Sequence, residues 1–359
     1  MKPYYNLVLL MCLLPALAFA GQDKFKGKYT KEKTINKEYT VNSDALLQVD
    51  NRYGNLDIVT WSGNRTVITV TIKTNGNNEA KVKERLNDIT VDFSASAARV
   101  TAKTKFKDKN SSWSSWGKKN KNVAVEVNYK IQLPVGNSVD LKNDYGAISL
   151  TELKGNAKIN CDYGQVNIGK LMAENNLLNM DYSKDSTIGY MKSGKVQADY
   201  SEFTLERTER VEVDADYSRA TIKEAQYVNF NCDYGKMTIG SANTVIGLGD
   251  YIPSRIGTVT GSLNINTDYG SVHVERLENS VKGVTIAADY ASIKLGLAPN
   301  FNFDFSINLS YAGLKGQEGL TITERGEEKS KKQYSGYRGK QNSGNTININ
   351  SSYGGVTFN

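Results

Sequence analysis

An aspartate stands directly before a tyrosine nine times between residues 144 and 290, at Asp144, Asp162, Asp181, Asp199, Asp216, Asp233, Asp250, Asp268 and Asp289. If these residues stack in successive strands, their carboxylates repeat at about 4.8 Å and repel one another. One relief is a divalent cation, because hard cations gather several carboxylate and carbonyl oxygens. Asp162, Asp181, Asp199, Asp216 and Asp233 are then the candidate ligands and calcium the one candidate cofactor. The other relief is an Asx turn, in which each carboxylate accepts a hydrogen bond from the backbone two residues on and shapes a corner. A calcium-binding repeat brings several oxygen ligands per coil, with glycines to bend around the ion. Here there is one Asp per copy, so the turn is favoured, with Lys142, Lys158, Lys195 and Lys236 available as countercharge.

The tyrosines that follow, Tyr145, Tyr163, Tyr182, Tyr200, Tyr217, Tyr234, Tyr269 and Tyr290 among them, form either an exposed aromatic ladder for glycans or a stack of core rings. Parity with Ile159 and Cys161 favours the core, as a structural element of the repeat. A third candidate is the basic segment Lys103 to Asn122, where Trp113 and Trp116 sit among Ser and Lys between two strands. Exposed Trp on a basic loop can be a contact point for a partner, a protein or glycan, or for an anionic surface; the bland alternative is a hairpin tip with no role. Catalysis has little to work with. His273, the one histidine, lies between Val272 and Val274 and points outward, and there is no Gly-x-Ser-x-Gly elbow, phosphate loop or His and Cys cluster with metal spacing. The expectation is a protein that is not an enzyme. The rival is a polysaccharide-active or calcium-dependent carbohydrate-binding β-helix, whose site would break the repeat locally. The break at Gly247 to Pro253 reads as a bulged coil.

These residues recur because the chain repeats. From Tyr145 to Tyr269 the tyrosines are 18, 19, 18, 17, 17, 17 and 18 residues apart, the signature of a stacked architecture. Four residues before each Tyr the position is apolar (Leu141, Ile159, Leu178, Val196, Val213, Phe230), Gly247 excepted; two before it stand Cys161, Met180, Ala198, Ala215 and Cys232. After the Tyr the parity shifts, with apolar residues three and five on, as at Val166 and Ile168 or Met237 and Ile239, which marks a corner and a second strand. Eight on comes another small or apolar residue, such as Leu171 or Ala225. The fold expected is all-β, a right-handed parallel β-solenoid of about 17–19 residues per coil with a β-rich N-terminal end module.

The rest of the chain divides around that repeat. Residues 1–20 read as a signal peptide, with Lys2, an apolar run from Leu7 to Leu17 and Ala18-Phe19-Ala20 as the cleavage site. That run is short of a membrane span. Residues 21–40 read as a flexible leader and 41–138 as the end module, which holds a first copy at Tyr53 and a short amphipathic helix over Asn78 to Asn87. Residues 139–359 form the solenoid, with a protruding hairpin or long loop around 316–344 and a full copy at the C-terminus. Formal net charge is +7, and +6 without Lys2; spread so evenly, it gives no reason to expect nucleic acid as a partner. Cys161 and Cys232 lie four coils apart, too far for a disulfide.

The export signal, the early Tyr53-Gly54 strand pair ending in Trp61, the Leu133-Pro134-Val135-Gly136 junction and the Gly-punctuated repeats together resemble the bacterial putative-adhesin families of β-strand repeat proteins. These include the head GIN domain proteins common in Bacteroidota. The resemblance implies an exported, envelope-associated β-solenoid with no catalytic residues, placed in the periplasm, at the outer-membrane surface or outside the cell. The function expected is a non-enzymatic, adhesin-like interaction scaffold. Partner identity and oligomeric state are not legible in the sequence.

Overall fold

Alternation of side chains sets each coil, and the coil between Tyr200 and Tyr217 shows how. In a computed structural model, which describes residues 25–107 and 123–359, Phe203 and Leu205 are buried on one side of it, Thr208 on a second and Val211, Val213 and Ala215 on the third. The pairs Glu206-Arg207 and Glu209-Arg210 are exposed where the chain turns between sides. Apolar residues at period two make the sides, and charged pairs that cannot be buried make the corners. Successive coils then pair in parallel with like on like, Val196 beside Val213 and Asp199 beside Asp216. Each coil buries its apolar residues against its two neighbours, and one continuous core runs through the stack. The architecture is an all-β solenoid, as expected.

The N-terminal end is built from the residues that interrupt the repeat. Leu46–Arg52 pairs in parallel with Ser138–Asp144, and Leu56–Trp61 with Ala147–Leu153, so the Tyr53 copy stacks on the Tyr145 copy despite the long insertion between them. On one face the far edge of Leu46–Arg52 takes Arg99–Phe106 in parallel, and Ile89–Ser96 adds to that antiparallel. On the other, Leu56–Trp61 takes Val123–Pro134 in parallel, followed by Arg65–Gly76 and Tyr29–Thr40, both antiparallel. The helix Glu79–Asn87 is capped by Asn78, whose side chain accepts from the Lys81 amide, and buries Val82 and Leu86. Tyr29–Thr40 corrects the expectation of a flexible leader over 21–40. It lacks apolar alternation because it is an edge strand, and its lysines and glutamates guard that edge against pairing with another chain.

Several buried polar groups at this end form one network, although Asp144 Oδ1 has no partner. Asn51 Nδ2 donates to the Val127 carbonyl and to Asn143 Oδ1, each at 3.0 Å, and the Thr104 hydroxyl donates to Asn51 Oδ1 at 2.9 Å. Thr104 also shares a 2.7 Å hydrogen bond with the buried Tyr129 hydroxyl, whose desolvation holds the phenol well above its usual range.

At the C-terminal end the order in space departs from the order in sequence. Thr346–Ser352 lies between Gly283–Asp289 and Phe303–Ser310, parallel to both. Val356–Phe358 likewise lies between Ser292–Leu297 and Leu314–Lys315. The last coil of the chain is therefore inserted beneath the one that precedes it. The segment around 316–344 forms a hairpin, Leu320–Glu328 with Lys331–Arg338, and its second arm pairs antiparallel with Phe303–Ser310. It lies along the stack as two further strands and does not protrude, because the outer edge of Phe303–Ser310 would otherwise leave a row of backbone groups unpaired.

Cys161 and Cys232 are free and buried, and burial pushes their thiols up to about 11 and about 12. No bulge is found at Gly247 to Pro253. The register irregularity lies earlier, between Ala242 and Thr244, and Gly247 is set by packing: a Cβ there would meet the Phe230 ring at 2.2 Å.

Candidate functional site, a tyrosine row along one corner

The strand that carries the apolar residues of one face ends at the Asp, and the Tyr turns the chain into the next face. To do so each Tyr adopts a left-handed backbone, φ between +50° and +64° from Tyr53 to Tyr353. Its amide stays in the ladder: Tyr163 N–H donates to the Asp181 carbonyl and Tyr217 N–H to that of Asp233, both at 2.9 Å. This conformation costs a non-glycine residue on the order of 1–3 kcal/mol and requires support from the surrounding structure. Support comes from the next residue. A Cβ at Gly146 or Gly164 would lie 1.9 or 2.1 Å from the carbonyl oxygen of the preceding coil. Where serine replaces glycine its hydroxyl is used: Ser201 Oγ donates to the Met180 carbonyl at 2.8 Å and accepts from the Ser183 amide at 2.9 Å.

The left-handed turn reverses the expected placement of the tyrosines. Tyr145, Tyr163, Tyr182, Tyr200, Tyr217, Tyr234, Tyr269 and Tyr290 are not core residues; with Tyr251, Tyr311 and Tyr353 they are between 46% and 65% exposed. Parity inherited from Ile159 and Cys161 would hold only if the strand continued through the Tyr, and a positive φ rotates Cβ off the buried side. The rings stack in one row from Tyr53 through Tyr145 to Tyr290, then Tyr353 and finally Tyr311, with centroids 4.5 to 5.4 Å apart and planes within 12° of one another. Each ring spends its faces on its neighbours, so the row displays ring edges and hydroxyls. At one end Phe106 closes Tyr53 edge-on at 5.7 Å, with the Arg85 guanidinium 5.3 Å from the Phe106 ring centre. Desolvation, then neighbouring tyrosines, then the adjacent aspartates push up the phenols of Tyr163 and Tyr251.

The aspartates border this row. Asp181, Asp199 and Asp216 are exposed, and Asp162 and Asp233 partly so. At Asp216, Asp233 and Asp250 the expected local Asx turn gives way to a bond between coils. Asp216 Oδ1 accepts from the Asp233 amide at 3.2 Å, Asp233 Oδ1 from the Asp250 amide at 2.9 Å and Asp250 Oδ1 from the Asp268 amide at 3.0 Å. Arg52 Nε pairs with Asp144 at 2.9 Å. Lys158 and Lys195 pair elsewhere, with Asp140 and Asp214, while Lys142 acts on Asp162 through its charge. Among the described residues no three His, Cys, Asp or Glu side chains form a group that could hold a metal ion.

Repulsion along the column has a measurable consequence. Desolvation, and then the charges of neighbouring aspartates, hold the carboxyls of Asp162 and Asp181 above the ordinary carboxylate value. A carboxyl whose folded pKa is raised favours the fold at low pH, and that contribution is lost as pH rises through the raised value. Asp162→Asn with Asp181→Asn keeps one acceptor oxygen on each side chain and removes the charge. Its melting temperature is therefore expected to exceed that of the parent at pH 7 and to converge with it near pH 4. A parent that melts higher at pH 7 would show that the column is not under repulsive load.

Of the other sequence candidates, Trp113 and Trp116 lie outside the described residues, as does the segment read as a signal peptide. His273 is partly exposed between the buried Val272 and Val274. A shallow depression on the second side, around Thr208, is lined by Glu152, Lys170, Tyr190, Arg207, Glu209 and Glu224, and its groups serve one another: the Tyr190 hydroxyl donates to Glu209 at 3.0 Å under the Arg207 guanidinium. What the sequence reading missed is that the tyrosines form an exposed edge. The signal was there in the small residue after most of them, the mark of a turn.

No family model matches the chain, and no curated protein does. Solved structures similar to it include a putative cell adhesion protein from Clostridium sporogenes, with 11% identity over 91% of this chain and 99% of that one and a TM-score of 0.19. Putative adhesins from Parabacteroides distasonis and Bacteroides fragilis each share 11% identity over 91% of this chain and 97% of theirs, with TM-scores of 0.28 and 0.26. Likenesses at these TM-scores carry no argument about activity or partner. No helix among the described residues is long and apolar enough to cross a membrane.

Proposed function

We propose that this chain is a non-enzymatic exported scaffold that makes adhesin-like contacts at the bacterial cell envelope, and that its contact edge is the tyrosine row. The supporting observation is the row itself: eleven large aromatic side chains, each about half exposed, in one unbroken line. Soluble proteins seldom leave apolar surface contiguous on that scale unless something covers it. Tyrosine suits such an edge because its ring contributes area at little entropic cost and its hydroxyl tolerates water. The partner is a protein or glycan met in the periplasm, at the outer-membrane surface or outside the cell. Because the rings cover one another, a sugar ring finds a free aromatic face only at Tyr311, so the row acts as an edge and not as a saccharide-stacking ladder. Trp113 and Trp116, singled out from the sequence, are a second candidate contact point.

The test compares two variants for retention of the labelled protein on intact bacterial cells, with the fold checked by circular dichroism. Tyr182→Ser with Tyr217→Ser and Tyr251→Ser is expected to weaken retention at least tenfold, as for the loss of central aromatic contacts. Trp113→Ala with Trp116→Ala is expected to weaken it less. Retention unchanged by the tyrosine variant would overturn the contact edge.

A further inference from the structure

We infer that the tyrosine row is a homotypic interface, and that its occupant is the same row of a second copy of this chain, set side by side and pointing the same way. The inference rests on the reading of the row as a contact edge and names the partner.

Three observations carry it. The first is repeat. The exposed rings recur at 4.5 to 5.1 Å from Tyr145 to Tyr311, and from Tyr163 onward successive planes turn by no more than 6°. A row with the strand repeat can be matched rung for rung only by a partner with that repeat, and an identical row has it by construction. Hydroxyls and ring edges of one copy then fall at equivalent heights on the other at every rung.

The second is area. Half of a tyrosine side chain exposes on the order of 100 Å², so eleven rungs offer roughly 1,000 Å² per copy, against the about 800 Å² per partner buried in a standard interface.

The third is charge, which decides the orientation. The aspartate column borders the row on one side. The residue two after each Tyr borders it on the other: Glu202 and Arg219 there pair with each other at 2.8 Å, and Lys184 and Lys236 are exposed, with no ion pair for either among the described residues. A two-fold axis perpendicular to the row would set Asp column against Asp column, an arrangement penalised by like-charge repulsion. An axis parallel to the row sets Asp181 of one copy across from Lys184 of the other, and Asp233 across from Lys236, at the same rung. The interface is isologous and closed, so it ends at two copies and does not propagate into a fibre.

Sedimentation velocity on the purified chain over a range of concentrations tests this. A species of twice the chain mass is expected, with Tyr200→Ser, Tyr217→Ser and Tyr234→Ser together raising its dissociation constant at least tenfold. Asp233→Lys alone should weaken the dimer, and adding Lys236→Asp should restore it, since the two residues meet across the parallel axis; because Asp233 also accepts from the Asp250 amide, both variants lose that bond, so restoration by the second change reads the interface and not the fold. A monomer at every concentration overturns the second copy, as does a dimer indifferent to the tyrosine changes. If the chain is monomeric and the tyrosine variant still loses retention on cells, the homotypic interface fails while the contact edge stands. If retention is also unchanged, both fail.

Discussion

Removing residues 345–359 is expected to unfold more of the chain than it deletes. The segment holds Thr346–Ser352 and Val356–Phe358, which fill an internal place in the stack and hydrogen-bond on both sides. Its side chains Ile347, Ile349, Val356 and Phe358 are buried. Burial of four such residues contributes on the order of 6–12 kcal/mol of hydrophobic stabilisation, comparable with the whole stability of many domains. A deletion at a true end would strip one edge. This one leaves Gly283–Asp289 and Phe303–Ser310 facing an empty layer, so Phe303–Ser310 and the hairpin it carries lose their attachment. Hydrogen exchange on the shortened chain should show protection lost from residue 303 to 338 and kept in the strands from 186 to 250. Retained protection over 303–338 would mean that the coils close up without the inserted one.

Gly247 and Phe230 should behave as a single unit of volume. They occupy neighbouring places in the same core column, Val213, Phe230, Gly247, Ile265. A Cβ on Gly247 would sit 2.2 Å from Phe230 Cζ and 2.6 Å from Ile265 Cδ1. Gly247→Val thus overpacks the column and is expected to cost about 1–3 kcal/mol or more. Phe230→Ala empties it and is expected to cost about 3–5 kcal/mol. Phe230→Val with Gly247→Val shares the volume between the two coils as Val196 and Val213 already do, and should cost less than the sum of the separate changes by about 0.5–3 kcal/mol. Denaturant titration of the four proteins measures this. Strict additivity would show that the ring does not occupy the space the glycine leaves. The same pair explains the apparent break at Gly247: the apolar column carries a glycine where the adjacent coil supplies the Phe230 ring.

Several features were legible without tertiary structure because they depend on neighbours within one strand. Val196, Ala198, Phe203 and Leu205 announce their burial by alternation, and all are buried. The helix after Asn78 is announced by its cap and its spacing of Val82 and Leu86. Stacking follows from the constant interval between copies. Tyr29–Thr40 was not legible, since an edge strand with one half-covered face shows no apolar alternation. Asp144 is buried while the other aspartates of the column are at least partly exposed, and the bond that Asp233 and Asp250 make to the next coil could not be read, because the donating amide is 17 or 18 residues away.

By itself the sequence determined the period, the apolar columns and hence a stacked all-β coil with its charged residues at the corners. These follow from local alternation, where a residue's side of the strand is decided by counting. Tertiary structure alone decided which way the tyrosines face and where the last coil sits. Both turn on quantities that counting does not contain. The sign of φ at the corner is imposed by the carbonyl of the adjacent coil, and the place of Thr346–Ser352 is imposed by two strand edges brought together only when the preceding coils have formed.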